Sequence, residues 1–169
     1  MLRREVIIIQ FSKSTDYALH ALMHLAYSER SHSIGIKELS AMLSVSESYL
    51  SKIMSKLRQD GIVHAVPGVK GGYELARPAG EITFLEVIQT IEGRQRMFDC
   101  SNVNSRQHRL LAEEKDDERI PNGPGKDECV VKKVMDGAEQ QLHQYLKGHT
   151  IQSVLDVVAK NCRHEANKK

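Results

Sequence analysis

Three glycines and one lysine lie close together in the segment HAVPGVKGGYELAR, where their types and spacing could serve a phosphate group. They are Gly68, Lys70, Gly71 and Gly72. The phosphate loop of nucleotide hydrolases needs a Gly, four residues and then Gly-Lys-Ser/Thr, and the dinucleotide fingerprint needs Gly-x-Gly-x-x-Gly. Neither pattern is present, so we interpret the segment as a β-hairpin whose tip carries a lysine and backbone N–H groups.

Three cysteines could carry redox chemistry or bind a metal ion. They are Cys100, Cys129 and Cys162. Their odd number and wide spacing do not fit the disulfide framework of a secreted protein. Reduced thiols or metal ligands are therefore expected. The spacing by itself leaves these two uses open.

A third group of residues could bind DNA. The segment between Ser46 and Gly61 predicts an amphipathic helix, because Ser46 suits the N-cap and Gly61 the left-handed position after the last turn. Its apolar face repeats at i, i+3, i+4 and i+7, and consists of Leu50, Ile53, Met54 and Leu57. The opposite face has no carboxylate and consists of Ser48, Ser51, Lys52 and Ser55, with Lys56 beside it. Small hydroxyl groups allow close approach to base edges and phosphates, and lysine neutralises the DNA backbone.

Hydrophobic periodicity predicts the elements that would position these groups. Helices are expected over 15–27, 36–43, 46–60, 83–91, 130–147 and 150–160, and strands over 62–66 and 73–76. In the second helix the residues expected to face inward are Ile36, Leu39, Met42 and Leu43. Two helices, a tight turn and a third helix followed by a Gly-rich hairpin form a winged helix-turn-helix. The sequence thus predicts a mainly α fold that binds double-stranded DNA, and the alternative is that the serine- and lysine-bearing face is an ordinary solvated surface.

Length and composition allow one core and say little about partners. A chain of 169 residues with a net charge of +2 neither proposes nor excludes nucleic acid. No apolar run approaches the roughly 20 residues of a membrane span. The apolar run Val6–Ile9 is too short for a signal-peptide core. We therefore expect a cytoplasmic protein with no membrane partner.

The long helix predicted over 130–147 carries an apolar stripe at a spacing close to a heptad seam. The stripe consists of Val131, Val134, Met135, Ala138, Leu142 and Tyr145. Such a stripe suits packing against its own chain, and it also suits pairing with the same helix of a second chain. Operators with two-fold symmetry favour pairing, so we predict that this helix forms a homodimer interface.

Three segments together resemble the Rrf-two family of bacterial winged-helix transcription regulators. They are STDYALHALMHLA, SESYLSKIMSKLRQDGIV and GVKGGYELARP, and the similarity is close from about residue 10 to residue 92. The resemblance implies a homodimer that binds a partly palindromic operator and represses or activates transcription. It also implies that the major groove is read by Ser48, Tyr49, Ser51 and Lys52, and that the wing is formed at Gly71 and Gly72. Several relatives have an arginine where this chain has Pro67, so its operator preference need not match theirs.

The resemblance also implies a possible cofactor, because some relatives hold an iron–sulfur cluster on three cysteines after the fourth helix. Cys100 matches the first of these cysteines and Cys129 the last, but the middle one is missing and residues 101–128 separate the pair. Clusters commonly take four ligands, and His108 or Asp16 could supply one that the cysteines do not. No cofactor is therefore predicted, and an iron–sulfur cluster is the alternative.

A thiol switch is the predicted use of the cysteines. Residues 101–128 are rich in charge, Pro and Gly, a composition that favours mobility over packing. Such a loop lets Cys100 and Cys129 meet, or react with Cys162, when an oxidant or an electrophile is present. The alternatives are the cluster and a family member whose cysteines have no redox role. The predicted organisation is a DNA-binding domain at 10–92, a mobile sensor loop at 93–129, and a dimerisation helix with a C-terminal helix at 130–169.

An enzyme and a protein-binding module are the remaining alternatives. Cys100 with His108 or His143 could form a nucleophile and a base. No nucleotide loop, nucleophile elbow or oxyanion-forming signature accompanies them, so we expect a protein that is not an enzyme. The salt dependence of binding distinguishes a winged helix that binds DNA from one that binds protein, because affinity for DNA falls steeply as the salt concentration rises.

Overall fold

The computed structural model describes residues 11–28, 33–68, 71–94, 96–100 and 129–166, with backbone alone for 162–166. Within these residues the helices are α1 (Lys13–Ser28), α2 (Ile36–Met42), α3 (Glu47–Gln59), α4 (Phe84–Glu92), α5 (Val130–Lys147) and α6 (Ile151–Ala166). The strands are β1 (Val63–Val66) and β2 (Gly72–Leu75), and a 3₁₀ turn spans Ala79–Glu81. The predicted mainly α fold with one hairpin is confirmed. In the described part of the chain, no helix has the length and apolar character needed to cross a membrane.

The chain divides into two compact units. One comprises the residues up to Arg94 together with those from Leu146 onward, and the other is Gln95–Tyr145. Most of α5 therefore belongs to the second unit, and α6 belongs to the first. The domain limits expected from the sequence stay a prediction.

The core of the first unit forms around α3, whose apolar face is the predicted one. Leu50, Met54 and Leu57 are fully buried, and Ile53 is nearly so. Helix α1 packs against α3, α4 and α6. Because burying a side chain of this size contributes about 2 kcal/mol, the rotation of α3 about its own axis is strongly fixed.

Helix α2 is short, and the prediction for one of its inward residues is wrong. Leu39 is fully buried, and Ile36 and Leu43 are half-buried against the core. Met42 is 49% exposed because it is the last residue of the helix and lies at the edge of its buried face. The chain then turns at Ser44, which has a φ of +52°. Helices α2 and α3 and this turn form the predicted helix-turn-helix.

Both predicted ends of α3 are confirmed. The Oγ of Ser46 accepts a hydrogen bond from the backbone N–H of Tyr49 at 3.4 Å. It thereby satisfies one of the N–H groups of the first turn that have no carbonyl partner within the helix. Gly61 has a φ of +68°, and its N–H donates to the carbonyl of Arg58 at 3.1 Å. This left-handed glycine redirects the chain so that Ile62 enters the core at once.

The hairpin after α3 has a short additional partner. Strands β1 and β2 pair antiparallel, with Val66 opposite Gly72. Ile34 pairs with β2, because its N–H donates to the carbonyl of Tyr73 at 3.1 Å and its carbonyl accepts from the N–H of Tyr73 at 2.9 Å. This pairing ties the hairpin to the residues that lead into α2.

Two glycines are required by close backbone packing in the hairpin. A Cβ on Gly71 would lie 2.2 Å from the carbonyl oxygen of Val66, and a Cβ on Gly72 would lie 2.4 Å from the carbonyl of Ile34. Backbone atoms cannot move aside as the end of a side chain can, so only glycine fits at both positions. The N–H of Gly71 donates to the carbonyl of Gly68 at 3.0 Å and closes a tight turn, as the glycine spacing predicts.

The C-terminal helix joins the first unit through two backbone hydrogen bonds. The N–H of Phe84 donates to the carbonyl of His149 at 2.9 Å, and the N–H of Ile151 donates to the carbonyl of Ile82 at 3.0 Å. Ile151 is fully buried, so it anchors the first turn of α6 in the core. The helix runs to Ala166, beyond the end predicted from the sequence at residue 160.

Replacement of Gly72 by alanine is expected to destabilise the protein. The new methyl group would overlap the carbonyl of Ile34, so Gly72→Ala should cost about 2 kcal/mol. Thermal unfolding followed by circular dichroism should show a melting temperature lower by about 5 °C. Gly80→Ala is the matched control, since its Cβ would lie 3.9 Å from its nearest neighbour, the Cβ of Gln152. Equal melting temperatures for the two variants would contradict the packing described.

Candidate nucleic-acid interface

Helix α3 presents a polar face that carries four of the predicted DNA-binding residues. Ser48, Lys52 and Ser55 are exposed and Ser51 is half-exposed, opposite the buried apolar face. At about 100° per residue, Gln59 lies on the same face, and it is exposed although the prediction omitted it. Counting the helical period on to the last turn would have found it. These five residues, the polar face of α3, offer hydroxyl, amide and ammonium groups, which are suited to base edges and phosphates.

Tyr49, which the family resemblance places at the major groove, is half-buried against α1. Its ring lies edge-on to that of Tyr17, with 5.9 Å between the ring centroids. Its hydroxyl is hydrogen-bonded to the Oγ of Ser14 at 2.7 Å. These contacts hold α3 against α1, and a role for Tyr49 in reading DNA stays a prediction.

Lys56, which the sequence analysis placed beside the polar face, contacts α4 instead. Its Nζ donates to the carbonyl of Ile91 at 2.9 Å, in the last turn of α4. One turn further along α3, the carboxylate of Asp60 accepts a hydrogen bond from the hydroxyl of Thr90 at 2.7 Å. A cation at the C-terminal end of a helix is favourable because the last carbonyls there carry partial negative charge. The structure therefore does not bring the ammonium of Lys56 together with the polar face of α3.

Glu92 joins the same turn of α4 to the start of α1. Its Oε1 accepts hydrogen bonds from the N–H of Ser12 at 2.8 Å and from the hydroxyl of Thr15 at 2.5 Å. Partial burial would raise the pKa of Glu92, but the hydrogen bonds from Thr15 and Ser12 and the charge of Lys56 together lower it. The stability that Glu92 adds is therefore present above the usual pKa of a glutamate, and it is lost as pH falls through the lowered value.

The hairpin offers a less clearly cationic surface than the sequence suggests. His64 and Glu74 face each other in register, and the His64 Nε2 lies 3.4 Å from the Glu74 Oε2. Both side chains are about half exposed, so a carboxylate accompanies the imidazole on this side of the wing. Gly71 and Gly72 are taken up by backbone packing, and Lys70 lies outside the described residues. DNA contacts by these three residues stay predictions.

The cysteines differ in their surroundings. Cys100 is half-buried, Cys129 is 4% exposed, and both are free thiols. The carbonyl of Cys129 accepts the N–H of Lys133 at 2.9 Å, so Cys129 stands at the start of α5. The side chain of Cys162 lies outside the described part of α6, and its predicted role stays a prediction.

The described residues do not assemble a site that could hold a metal ion or a cluster. Nowhere in that part of the chain do three His, Cys, Asp or Glu side chains come together in a suitable group. Asp16, a ligand position in some relatives, is exposed and pairs with the Nδ1 of His20 at 3.1 Å. His108 lies outside the described residues. Cys100 and Cys129 would thus supply two of the four ligands that a cluster commonly takes.

The predicted dimer stripe on α5 is largely open to solvent. Its exposed members are Val131, Val134, Ala138 and Tyr145, and its half-buried members are Met135 and Leu142. Val134 is 66% exposed, and no residue of α5 is buried. Exposed apolar side chains at this spacing are compatible with an interaction surface, and the dimer interface stays a prediction.

Comparison with known proteins agrees with this geometry. Residues 11–157 match the sequence profile of the Rrf2 family, which is described as "Iron-dependent Transcriptional regulator". This is the Rrf-two family that the sequence resembles. YwgB of Bacillus subtilis (strain 168), named as an HTH-type transcriptional regulator, is 28% identical over 150 residues, which cover 89% of this chain and 86% of YwgB. The HTH-type transcriptional regulator IscR of Klebsiella pneumoniae is 25% identical over 158 residues, covering 90% of this chain and 86% of that protein.

A solved structure shares the fold. The chain matches T. potens IscR with a TM-score of 0.64 and 23% sequence identity, over 89% of this chain and 88% of that one. At this identity the match supports the fold alone. It agrees with a helix-turn-helix followed by a hairpin and a long C-terminal helix.

Proposed function

The chain belongs to the Rrf2 family of transcriptional regulators, and from this premise we propose that it is a homodimeric repressor whose DNA binding is controlled by oxidation of its thiols. Family membership confirms the resemblance found in the sequence, the class of DNA-binding regulator and the expectation that the protein is not an enzyme. A repressor acts on the chromosome, so the proposal places the protein in the cytoplasm.

The polar face of α3 is the observation that carries the proposal. Its serines, Lys52 and Gln59 lie opposite an apolar face that is buried, so the helix cannot present any other side without exposing its core residues. The second helix of a helix-turn-helix lies in the major groove, which is about 12 Å wide and admits an α-helix. Small hydroxyl groups and one lysine match the base edges and phosphates found there.

A homodimer is proposed because one polar face reads only half of a symmetric operator. Half-sites lie about 34 Å apart, so two copies must be held at a fixed separation. The exposed apolar stripe on α5 supplies a self-complementary surface for this, with Val134 among its most exposed residues. Repression is the proposed sign of regulation, since a dimer that covers an operator excludes polymerase from the same DNA.

Oxidation is proposed to begin at Cys100, the more exposed of the two described thiols. A peroxide accepts two electrons from the Cys100 thiolate, which becomes a sulfenic acid while hydroxide leaves. The thiol of Cys129 then attacks the sulfenic sulfur, so that a disulfide forms and water leaves. Cys129 stands at the start of α5, so the bond should displace the proposed dimer helix and release the DNA.

An iron–sulfur cluster is the second candidate for the signal. The family description "Iron-dependent Transcriptional regulator" and the relative IscR favour it. Cys100 and Cys129, which flank residues 101–128 in the sequence, would be two of the ligands. The described residues offer no group of three ligands, so the other ligands would have to come from outside them. When bound, such a cluster supplies a centre that responds to iron and to oxidants.

Loss of the Lys52 ammonium should weaken binding to every DNA sequence. Lys52→Met should lower the slope of log affinity against log salt by about one, as expected for one phosphate contact. Fluorescence anisotropy with a labelled operator, recovered by selection from genomic fragments, measures both quantities. Lys160→Met, which removes an exposed charge on α6, is the control and should behave like the parent. If the slope of Lys52→Met equals that of the parent, the polar face of α3 is not the DNA-binding face. The same conclusion follows if binding by the parent does not depend on salt.

A charge in the apolar stripe should separate the proposed dimer. Val134→Glu places a carboxylate on a side chain that is 66% exposed, so it should not disturb the isolated chain. Sedimentation velocity should show monomers, and operator affinity should fall at least tenfold because each half-site is then bound alone. Gln140→Glu is the control, since it adds the same charge on the opposite side of α5. A Val134→Glu monomer that binds the full operator with parent affinity would refute the proposed assembly.

The two thiols should be needed for release but not for binding. Reduced Cys100→Ser and Cys129→Ser should bind the operator like the parent and should stay bound after hydrogen peroxide, because neither can form the disulfide. Anisotropy before and after peroxide, with non-reducing mass spectrometry of the same samples, measures release and bond formation. Two variants that release DNA as the parent does would exclude the thiol switch. Binding that follows iron content and a visible absorption band in protein purified without oxygen would favour the cluster.

A further inference from the structure

The last turn of α4 makes hydrogen bonds in two directions. Toward α3, the carbonyl of Ile91 accepts from the Nζ of Lys56 at 2.9 Å, and the hydroxyl of Thr90 donates to Asp60 at 2.7 Å. Toward α1, Glu92 accepts the two hydrogen bonds from Ser12 and Thr15 already described. Three consecutive residues of α4 therefore join α3 to α1. We call Thr90, Ile91 and Glu92 the α4 junction.

On the α1 side, the hydrogen bond between Thr15 and Glu92 is costly to break. Thr15 is 2% exposed, and its hydroxyl is satisfied by the carboxylate of Glu92. No described side-chain N or O atom that is buried lacks a partner, so losing this acceptor would leave a desolvated hydroxyl. The junction is thus anchored on a part of α1 that cannot readily move.

The bonds on the α3 side occupy the charge of Lys56. Its ammonium meets the C-terminal carbonyls of α4 and is attracted by the carboxylate of Glu92. Lys52 and Lys56 are both exposed, but the ammonium of Lys56 already has an acceptor in α4 and a carboxylate nearby, so it gains less from a DNA phosphate than an uncompensated ammonium does.

We propose that Lys56 serves DNA binding as a positioning residue, acting through the α4 junction to hold α3 at a fixed orientation to α1, and that it does not contact phosphate. The inference rests on the proposed DNA-binding function and deepens it. Apolar packing fixes which face of α3 is buried, whereas the junction fixes where the C-terminal end of α3 lies.

The salt dependence of operator binding separates positioning from phosphate contact. Lys56→Met keeps the aliphatic stem and removes the donor, and it should lower affinity about tenfold while the salt slope stays at the parent value. Lys52→Met is the matched variant on the polar face, and it should lower the slope by about one. Lys56→Arg can still donate to the carbonyl of Ile91 and should restore most of the affinity.

A variant on the far side of the junction tests whether the effect travels through it. Thr15→Val is isosteric and lies on α1, and it should also lower operator affinity with an unchanged salt slope. If the melting temperature of Thr15→Val is too low for the assay, Glu92→Gln tests the contact between Thr15 and Glu92 from its partly exposed side. Ser153→Ala removes a part-buried hydroxyl at the start of α6 and is the control: it should lower the melting temperature without changing affinity.

The parent protein makes the outcomes distinguishable. Salt-dependent, specific binding by the parent upholds the proposed function, and its absence would overturn that function together with this inference. With the parent bound, a Lys56→Met slope lower by about one would show a phosphate contact and overturn the inference alone. Parent affinity in both Lys56→Met and Thr15→Val would overturn it as well.

Discussion

Burial of one side of α3 is the constraint on which the rest of the structure depends. Leu50, Met54 and Leu57 have no contact with solvent, so turning the helix by even one residue would bring apolar groups into water and push Lys52 toward the core. Both changes are unfavourable, because apolar surface loses its burial and a charge loses its hydration. The outward direction of the polar face is therefore a consequence of hydrophobic packing. The turn at Ser44 and the left-handed Gly61 exist to bring the chain into this helix and out of it at the required angles.

Polar contacts complete what hydrophobic packing leaves undetermined. Apolar surfaces tolerate small slides of one helix along another, whereas a hydrogen bond has a narrow range of length and angle. The bonds of Lys56, Asp60 and Glu92 lie at the ends of helices, where a small tilt of the helix produces the largest displacement. At the hairpin, the pairing of Ile34 with Tyr73 has the same role, and it explains why Gly72 faces protein backbone. Packing thus selects the face, and directional bonds select the position.

The sequence predicted what depends on neighbouring residues and missed what depends on distant ones. The apolar period of α3, its N-cap at Ser46 and its glycine at position 61 are local signals, and all three are confirmed. The bond between Lys56 and Ile91 joins residues 35 positions apart, and no period along the chain encodes it. The sequence therefore did not predict the contact of Lys56 with α4, and a role for Lys56 at DNA stays a prediction. The need for glycine at position 72 likewise arises from a residue distant in sequence, Ile34. The period correctly placed the serines and Lys52 on the solvent side of α3 and the apolar stripe on α5, but it does not identify the molecule that each surface meets.

The burial of Cys129 sets a time scale for any chemistry at its sulfur. A thiol that is 4% exposed reacts only from conformations that uncover it, so its observed rate is the product of an opening equilibrium and an intrinsic rate. Cys100, which is half-buried, carries a weaker restriction. In the proposed thiol switch, a brief exposure to oxidant would modify Cys100 and end before Cys129 is uncovered, and cellular reductants would then reverse the modification. Only an exposure that outlasts the opening time would lead to the disulfide, so the proposed pair would respond to the duration of oxidation as well as to its strength.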